Sequence, residues 1–228
     1  MHVASMNRQI EIHPSLLAAD FACLAEEIRD VEPFVDGFHL DVMDGVFVPN
    51  ISFGPVVVEA VRRVTRLPLH CHLMISDPAK YIAAFRNAGA DSILVHIETL
   101  SDPAEVLASI RARGAGVGLT LNPETSIQDV IPWLPSVDEL LIMSVRPGFG
   151  GQAFQPESIE RVRTVASRLA ELGCPAHISI DGGIGPGNAH LVSAAGADIL
   201  VAGTSVFRAP DRRKAVEAMR GVGSDSNR

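Results

Sequence analysis

Cysteine is scarce in this sequence, basic residues are outnumbered, and no apolar run is long enough to cross a bilayer. Each shortage closes off a class of protein. The cysteines, Cys23, Cys71 and Cys174, are odd in number, far apart and without Cys-x-x-Cys spacing. That excludes a disulfide framework and a cysteine-based zinc site, and fits a reducing cytosol. Lys and Arg number 19 against 27 Asp and Glu, a formal net charge of −8, with the two signs interspersed. No basic stripe is left for nucleic acid or an anionic membrane, so any phosphate bound here must be held locally. Residues 1–9 lack the apolar core of a signal peptide, and a cytoplasmic protein is expected. No Pro/Ser-rich linker or shift in composition divides the chain. One domain over residues 10–220 is therefore expected, between flexible ends at 1–9 and 221–228.

What the sequence has in quantity is alternation. Of the 228 residues 47% are hydrophobic and only 20% charged, enough for a large core. Short β-branched or apolar runs recur at Ile10–Leu17, Gly37–Met43, Leu69–Met74, Ser92–Ile97, Gly116–Leu121, Glu139–Ser144, His177–Ile180 and Ile199–Val201. Several are apolar almost throughout, as strands buried on both faces are. Helices are expected between them, at Asp20–Val31, Pro55–Thr65, Pro78–Ala88, Pro103–Arg113, Pro156–Leu172 and Gly187–Ala195. Proline or a small polar residue opens these segments and glycine often closes them. Ala-Gly-Ala-Asp, at residues 88–91 and again at 195–198, marks a shared turn from helix into strand. Eight βα units in one domain give an α/β protein, a single TIM (β/α)8 barrel.

In such a barrel the C-terminal strand ends form the reactive face. Ser15 falls near the end of strand 1, His39 and Asp41 on one face of strand 2, His72 in strand 3 and Asp181 at the end of strand 7. Alone, a His-x-Asp pair is ordinary strand-end polarity satisfied by hydrogen bonds. Two imidazoles and two carboxylates meeting at one mouth make instead a divalent-metal site for zinc, iron, cobalt or manganese.

Longer motifs carry a resemblance. Residues 14–21 (PSLLAADF), 39–50 (HLDVMDGVFVPN), 72–74 (HLM), 121–125 (LNPET), 143–152 (MSVRPGFGGQ) and 181–183 (DGG) together resemble the ribulose-phosphate 3-epimerase family over residues 10–208. The resemblance implies that His39, Asp41, His72 and Asp181 hold one divalent ion, zinc first. It also implies that Asp41 and Asp181 exchange protons with a ketose phosphate from opposite faces. The chemistry is consistent on its own terms. Epimerising the carbon beside a ketone removes a proton, forms an enediolate and returns a proton to the other face, so two acid–base groups suffice. A carboxylate of ordinary pKa, about 4, is a weak base toward a carbon acid, so the developing enediolate needs the electrostatic help an ion gives.

By the same resemblance Ser15, His72, Met43, Met74 and Met143 touch the substrate near the reacting carbons, although barrel filling explains a methionine and amide capping a serine. Three glycine-rich strand ends form the phosphate side: Gly148, Phe149, Gly150 and Gly151; Asp181, Gly182 and Gly183; and Gly203, Thr204 and Ser205. There backbone N–H groups approach an anion closely, and no lysine or arginine is required. His96 and Glu98 are expected to support neighbouring polar groups, or to be a satisfied strand end. His13, His70 and His177 are left unassigned.

Arg146 stands where the family usually has a small polar residue, and Ala18 where serine is common. Arg146 reaches substrate or projects into solvent, the latter favoured. The competing functions are 3-epimerisation of another ketose phosphate such as D-allulose 6-phosphate, a non-catalytic phosphosugar-binding barrel, and a lyase or decarboxylase on the same fold. The last calls for a lysine-bearing strand motif, which the sequence lacks. A homo-oligomer is expected, with no residue pattern to set its size.

Overall fold

The computed structural model describes residues 9–221, so the ends expected to be flexible lie outside the described residues but for Gln9 and Gly221. Eight strands run β1 (Glu11–His13), β2 (Phe38–Met43), β3 (Leu69–Met74), β4 (Ser92–His96), β5 (Gly116–Leu121), β6 (Glu139–Met143), β7 (His177–Asp181) and β8 (Ile199–Val201). All neighbouring pairs are parallel, in the order β1-β8-β7-β6-β5-β4-β3-β2. A parallel bridge between Ser15 and His39 closes the ring, with the His39 amide 3.0 Å from the Pro14 carbonyl. The helices are α1 (Leu24–Val31), α2 (Pro55–Val64), α3 (Ile82–Ala88), α4 (Pro103–Ala112), α5 (Ser158–Leu172), α6 (Ala189–Ala195), α7 (Thr204–Phe207) and α8 (Arg212–Arg220).

Departures from the sequence reading have local causes. β1 stops at His13 because Pro14 has no N–H to pair, and Ser15 then caps a 3-10 turn over Leu16–Ala18 by accepting from the Leu17 amide. The helix expected from Asp20 starts as another 3-10 turn, Phe21–Cys23, and becomes α-helical only at Leu24. Between β5 and β6 the connection is 3-10 throughout, Ile127–Asp129 and Ile131–Ser136, since Pro132 and Pro135 deny it amides. The two short C-terminal helices, α7 and α8, were not anticipated.

The Ala-Gly-Ala-Asp turns show why their residues recur. Gly89 and Gly196 take φ of 110° and 118°, left-handed values that favour glycine. The aspartate that follows ties the turn to the preceding strand: Asp91 accepts from the Leu69 amide at 2.9 Å, and Asp198 from the Ile178 amide at 3.1 Å. Asp36 and Asp138 do the same for Ile12 and Val117, both at 2.8 Å. A carboxylate thus satisfies an amide at the start of each odd strand, the first residue of β3 and the second of β1, β5 and β7.

Packing falls into two shells. The larger lies between strands and helices, with Phe38, Leu40, Leu69, Phe85 and Ile93 fully buried. Inside the barrel Leu94, Leu141, Met143 and Val201 cluster, drawn from the even strands β4, β6 and β8 as layered barrel packing requires. The ring is plugged below that layer, so chemistry is confined to the C-terminal face.

Candidate active site

On β2, period-two geometry sends His39 and Asp41 inward, and the register sets Asp41 beside His72 of β3 and Met43 beside Met74. Across the ring Met143 of β6 pairs with Asp181 of β7. His39, Asp41, His72 and Asp181 each offer one ligand atom, and those atoms all lie within 4.8 Å of one another. The Nε2 of His39 is 3.2 Å from Asp41 Oδ1 and 4.0 Å from Asp181 Oδ2. His72 Nδ1 is 3.1 Å from Asp41 Oδ1 and 3.3 Å from His39 Nε2. Ser15 donates to Asp41 Oδ2 at 2.5 Å.

These spacings suit a metal. Ligand bonds of about 2.0–2.2 Å around one ion leave neighbouring donor atoms roughly 3–3.5 Å apart. The electrostatics agree. Burial penalises an imidazolium at His39, yet the charge and hydrogen bond of Asp41, with Asp181 behind, raise its pKa to about 9. A buried proton there supplies the positive charge that two carboxylates demand, where an ion would supply it better. Burial also works against ionised Asp41, but His39 and His72 outweigh it and hold the carboxyl well below the usual range. At Asp181 burial and then the charge of Asp41 push the pKa up to about 7. The surroundings thus push the two chemically identical carboxyls in opposite directions.

Behind His72 runs a polar chain. His72 Nε2 is 2.8 Å from His96 Nε2, and His96 Nδ1 is 3.1 Å from Glu98 Oε2. Glu98 in turn accepts from the Asn122 amide at 2.7 Å and from the Thr125 hydroxyl. Burial opposes its charge, but the His96 hydrogen bond and those donors lower its pKa to about 2. The ionised carboxylate therefore accepts a hydrogen bond from His96 Nδ1–H, His96 Nε2 accepts one from His72 Nε2–H, and the lone pair of His72 Nδ1 faces the cluster. Burial and the adjacent His96 keep His72 neutral, lowering its pKa to about 4. His96 and Glu98 lie outside the four-residue group and orient one of its members. His13 and His70 are far below, edge to face at 4.5 Å near the barrel floor, where His70 meets Glu139 at 2.8 Å. His177, the first residue of β7, lies 3.6 Å from Asp198.

Above the cluster opens a cavity of about 520 Å³. Ser15, Asp41, Met43, Met74, Met143 and Asp181 line its depth. Gly148, Phe149, Gly150, Gly151, Gly182, Gly183, Gly203 and Thr204 line its other side. Of the residues expected to touch substrate, His72 alone does not line it; the ring is fully buried and faces the cluster. Asp181 keeps 18% of its side chain open to the cavity. Gly183 shows why glycine is needed: its φ is 63°, and a Cβ would stand 2.5 Å from the Phe154 nitrogen. Among the described residues no protein acceptor takes the amides of Gly183, Gly203 or Thr204. Asn50 Nδ2 fastens the loop after β2 to the loop after β6 through the Gly148 carbonyl at 2.8 Å.

Arg146 projects outward, exposed and paired with Glu124, away from the cavity. Arg208, unnoticed in the sequence, lines the cavity. The available signal was its spacing, four residues after Thr204, which sets it at the C-terminal cap of the single-turn helix α7.

A curated ribulose-phosphate 3-epimerase from Synechocystis sp. is 45% identical over 94% of this chain and 95% of its own length. One from Bacillus subtilis is 45% identical over 93% of this chain and 99% of its own. Among solved structures, 3-keto-L-gulonate-6-phosphate decarboxylase from Vibrio cholerae superposes with a TM-score of 0.70 over 94% of this chain and 97% of that one, at 16% identity, a likeness of fold alone. The model of the ribulose-phosphate 3 epimerase family matches residues 11–207, and the chain belongs to that family.

Proposed function

We propose that this protein interconverts D-ribulose 5-phosphate and D-xylulose 5-phosphate by proton exchange at C3, with one divalent ion held by His39, Asp41, His72 and Asp181. The observation that carries the reading is the convergence of His39, Asp41, His72 and Asp181, whose donor atoms lie within 4.8 Å of one another, with both carboxylates lining the cavity. Asp41, ionised, takes the C3 proton from one face, and Asp181, protonated, returns one to the other; the roles reverse for the opposite epimer. Ser15 fixes the Asp41 carboxylate by donating to Oδ2, while Met43, Met74 and Met143 exclude water beside the reacting carbons. The ion, zinc first among zinc, iron, cobalt and manganese, supplies positive charge where the enediolate develops. Amides of Gly183, Gly203 and Thr204 are free to receive the phosphate.

The test compares kcat/KM for D-ribulose 5-phosphate with that for D-allulose 6-phosphate. A large preference for the pentulose is expected. Preference for the hexulose replaces the substrate and keeps the chemistry, whereas tight binding with no turnover of either sugar points to a phosphosugar-binding barrel and overturns the enzyme reading.

A further inference from the structure

Arg208 is the one Lys or Arg among the residues that line the cavity. The side chain is exposed and, among the described residues, makes no ion pair and no side-chain hydrogen bond. Other arginines nearby are committed. Arg146 pairs with Glu124, Arg161 donates to the Asn122 carbonyl at 3.0 Å, and Arg212 holds Glu27 and Asp30 at 2.7 and 2.9 Å. The Arg208 amide bonds the Thr204 carbonyl at 3.0 Å, which fixes its backbone one turn beyond the Gly203-Thr204 strand end, and Ala209 beside it also lines the cavity. A free guanidinium thus stands on the side where backbone amides lack acceptors, in a chain of net charge −8.

We propose that Arg208 binds the phosphate of the substrate and sets this protein's preference for phosphorylated over unphosphorylated sugar, a proposal that rests on the ketose-phosphate reading above. Backbone amides orient the phosphate but bring no net charge, whereas a planar guanidinium matches phosphate oxygens with two charge-assisted hydrogen bonds. It also offsets the repulsion between an approaching dianion and a chain of net charge −8. Since the contact lies at the far end from C3, it acts on binding and not on proton transfer.

Arg208→Gln is expected to raise KM for D-ribulose 5-phosphate about tenfold, leave kcat within about twofold, and flatten the fall of kcat/KM with added salt. Arg208→Lys keeps the salt dependence and recovers part of the affinity. Inorganic phosphate is the probe that needs no turnover: calorimetric titration of the full chain should show about tenfold weaker phosphate binding in Arg208→Gln, with no change in Tm when phosphate is absent. Unchanged KM, salt dependence and phosphate affinity in Arg208→Gln would show the side chain to be a solvated charge and overturn the proposal. Should the wild type fail to epimerise the pentulose while Arg208→Gln still loses phosphate, the Arg208 site stands and the substrate reading falls.

Discussion

Asp41 is in contact with Ser15, His39 and His72, whereas Asp181 receives a backbone hydrogen bond from Gly182, has His39 only at 4.0 Å, and otherwise meets burial and the charge of Asp41. On the proposed mechanism that inequality makes Asp41 the base and Asp181 the acid. Asp181→Asn is isosteric and leaves the polar packing intact, so kcat for epimerisation is expected to fall by about 10²- to 10⁴-fold with Tm little changed. Full activity in that variant would remove Asp181 from proton transfer. Glu98 acts two residues removed from the cluster, by fixing the tautomers of His96 and His72. Glu98→Gln should weaken divalent-metal affinity about 10- to 100-fold, read by competition with a metal-binding dye. His39, Asp41, His72 and Asp181 were legible in the sequence because strand period and barrel polarity place strand-end residues without any knowledge of loops. His96 and Glu98 were expected to support neighbouring polar groups, but that the neighbour is His72 was not legible, since it depends on the stagger between strands: His72 is registered with Leu94, two residues short of His96. Arg208 was missed because its position depends on a single helical turn too short to carry a periodic pattern.

At the scale of elements, strand identity was plain and so, except at β1, were strand ends. β2 to β8 all fall within one residue of their expected bounds, because apolar runs between turn residues leave little choice. β1 ends early because one proline outweighs the apolar residues that follow it. The β5–β6 connection lacks an α-helix for the same reason. Strand packing makes its own demand at Gly118 of β5, where a Cβ would lie 2.3 Å from Leu94 Cγ, inside the barrel's inner layer. Gly118→Val should therefore cost about 1–3 kcal/mol of stability through overpacking, measured as a lowered urea midpoint. A midpoint equal to that of the wild type would mean the inner layer has slack the packing does not suggest.

Across the whole molecule the two barrel ends divide the labour. The mouth holds the reactive groups, and the floor holds buried polar residues that bear on stability, among them His13 and Glu139. Burial opposes the Glu139 charge, but His70 overcomes it and lowers the pKa from 4.5 to about 2. A carboxyl depressed on folding stabilises the native state above its unfolded value and loses that contribution as protons bind the folded form. Glu139→Gln is thus expected to be less stable than wild type at neutral pH, with the gap narrowing as pH falls from 4.5 toward about 2. A gap independent of pH in that window would show that the His70 pairing does not govern it. Among the described residues no helix is long and apolar enough to cross a membrane.

The central claim, two carboxylates exchanging the C3 proton beside a bound divalent ion, meets its most direct test in D₂O. Deuterium incorporation at C3 of D-ribulose 5-phosphate is followed by NMR with the protein as purified, after complete chelation, and after a divalent ion is restored. The account predicts incorporation in both epimers, its loss on chelation and its return with the ion; exchange at the full rate after every metal ion is removed would contradict it.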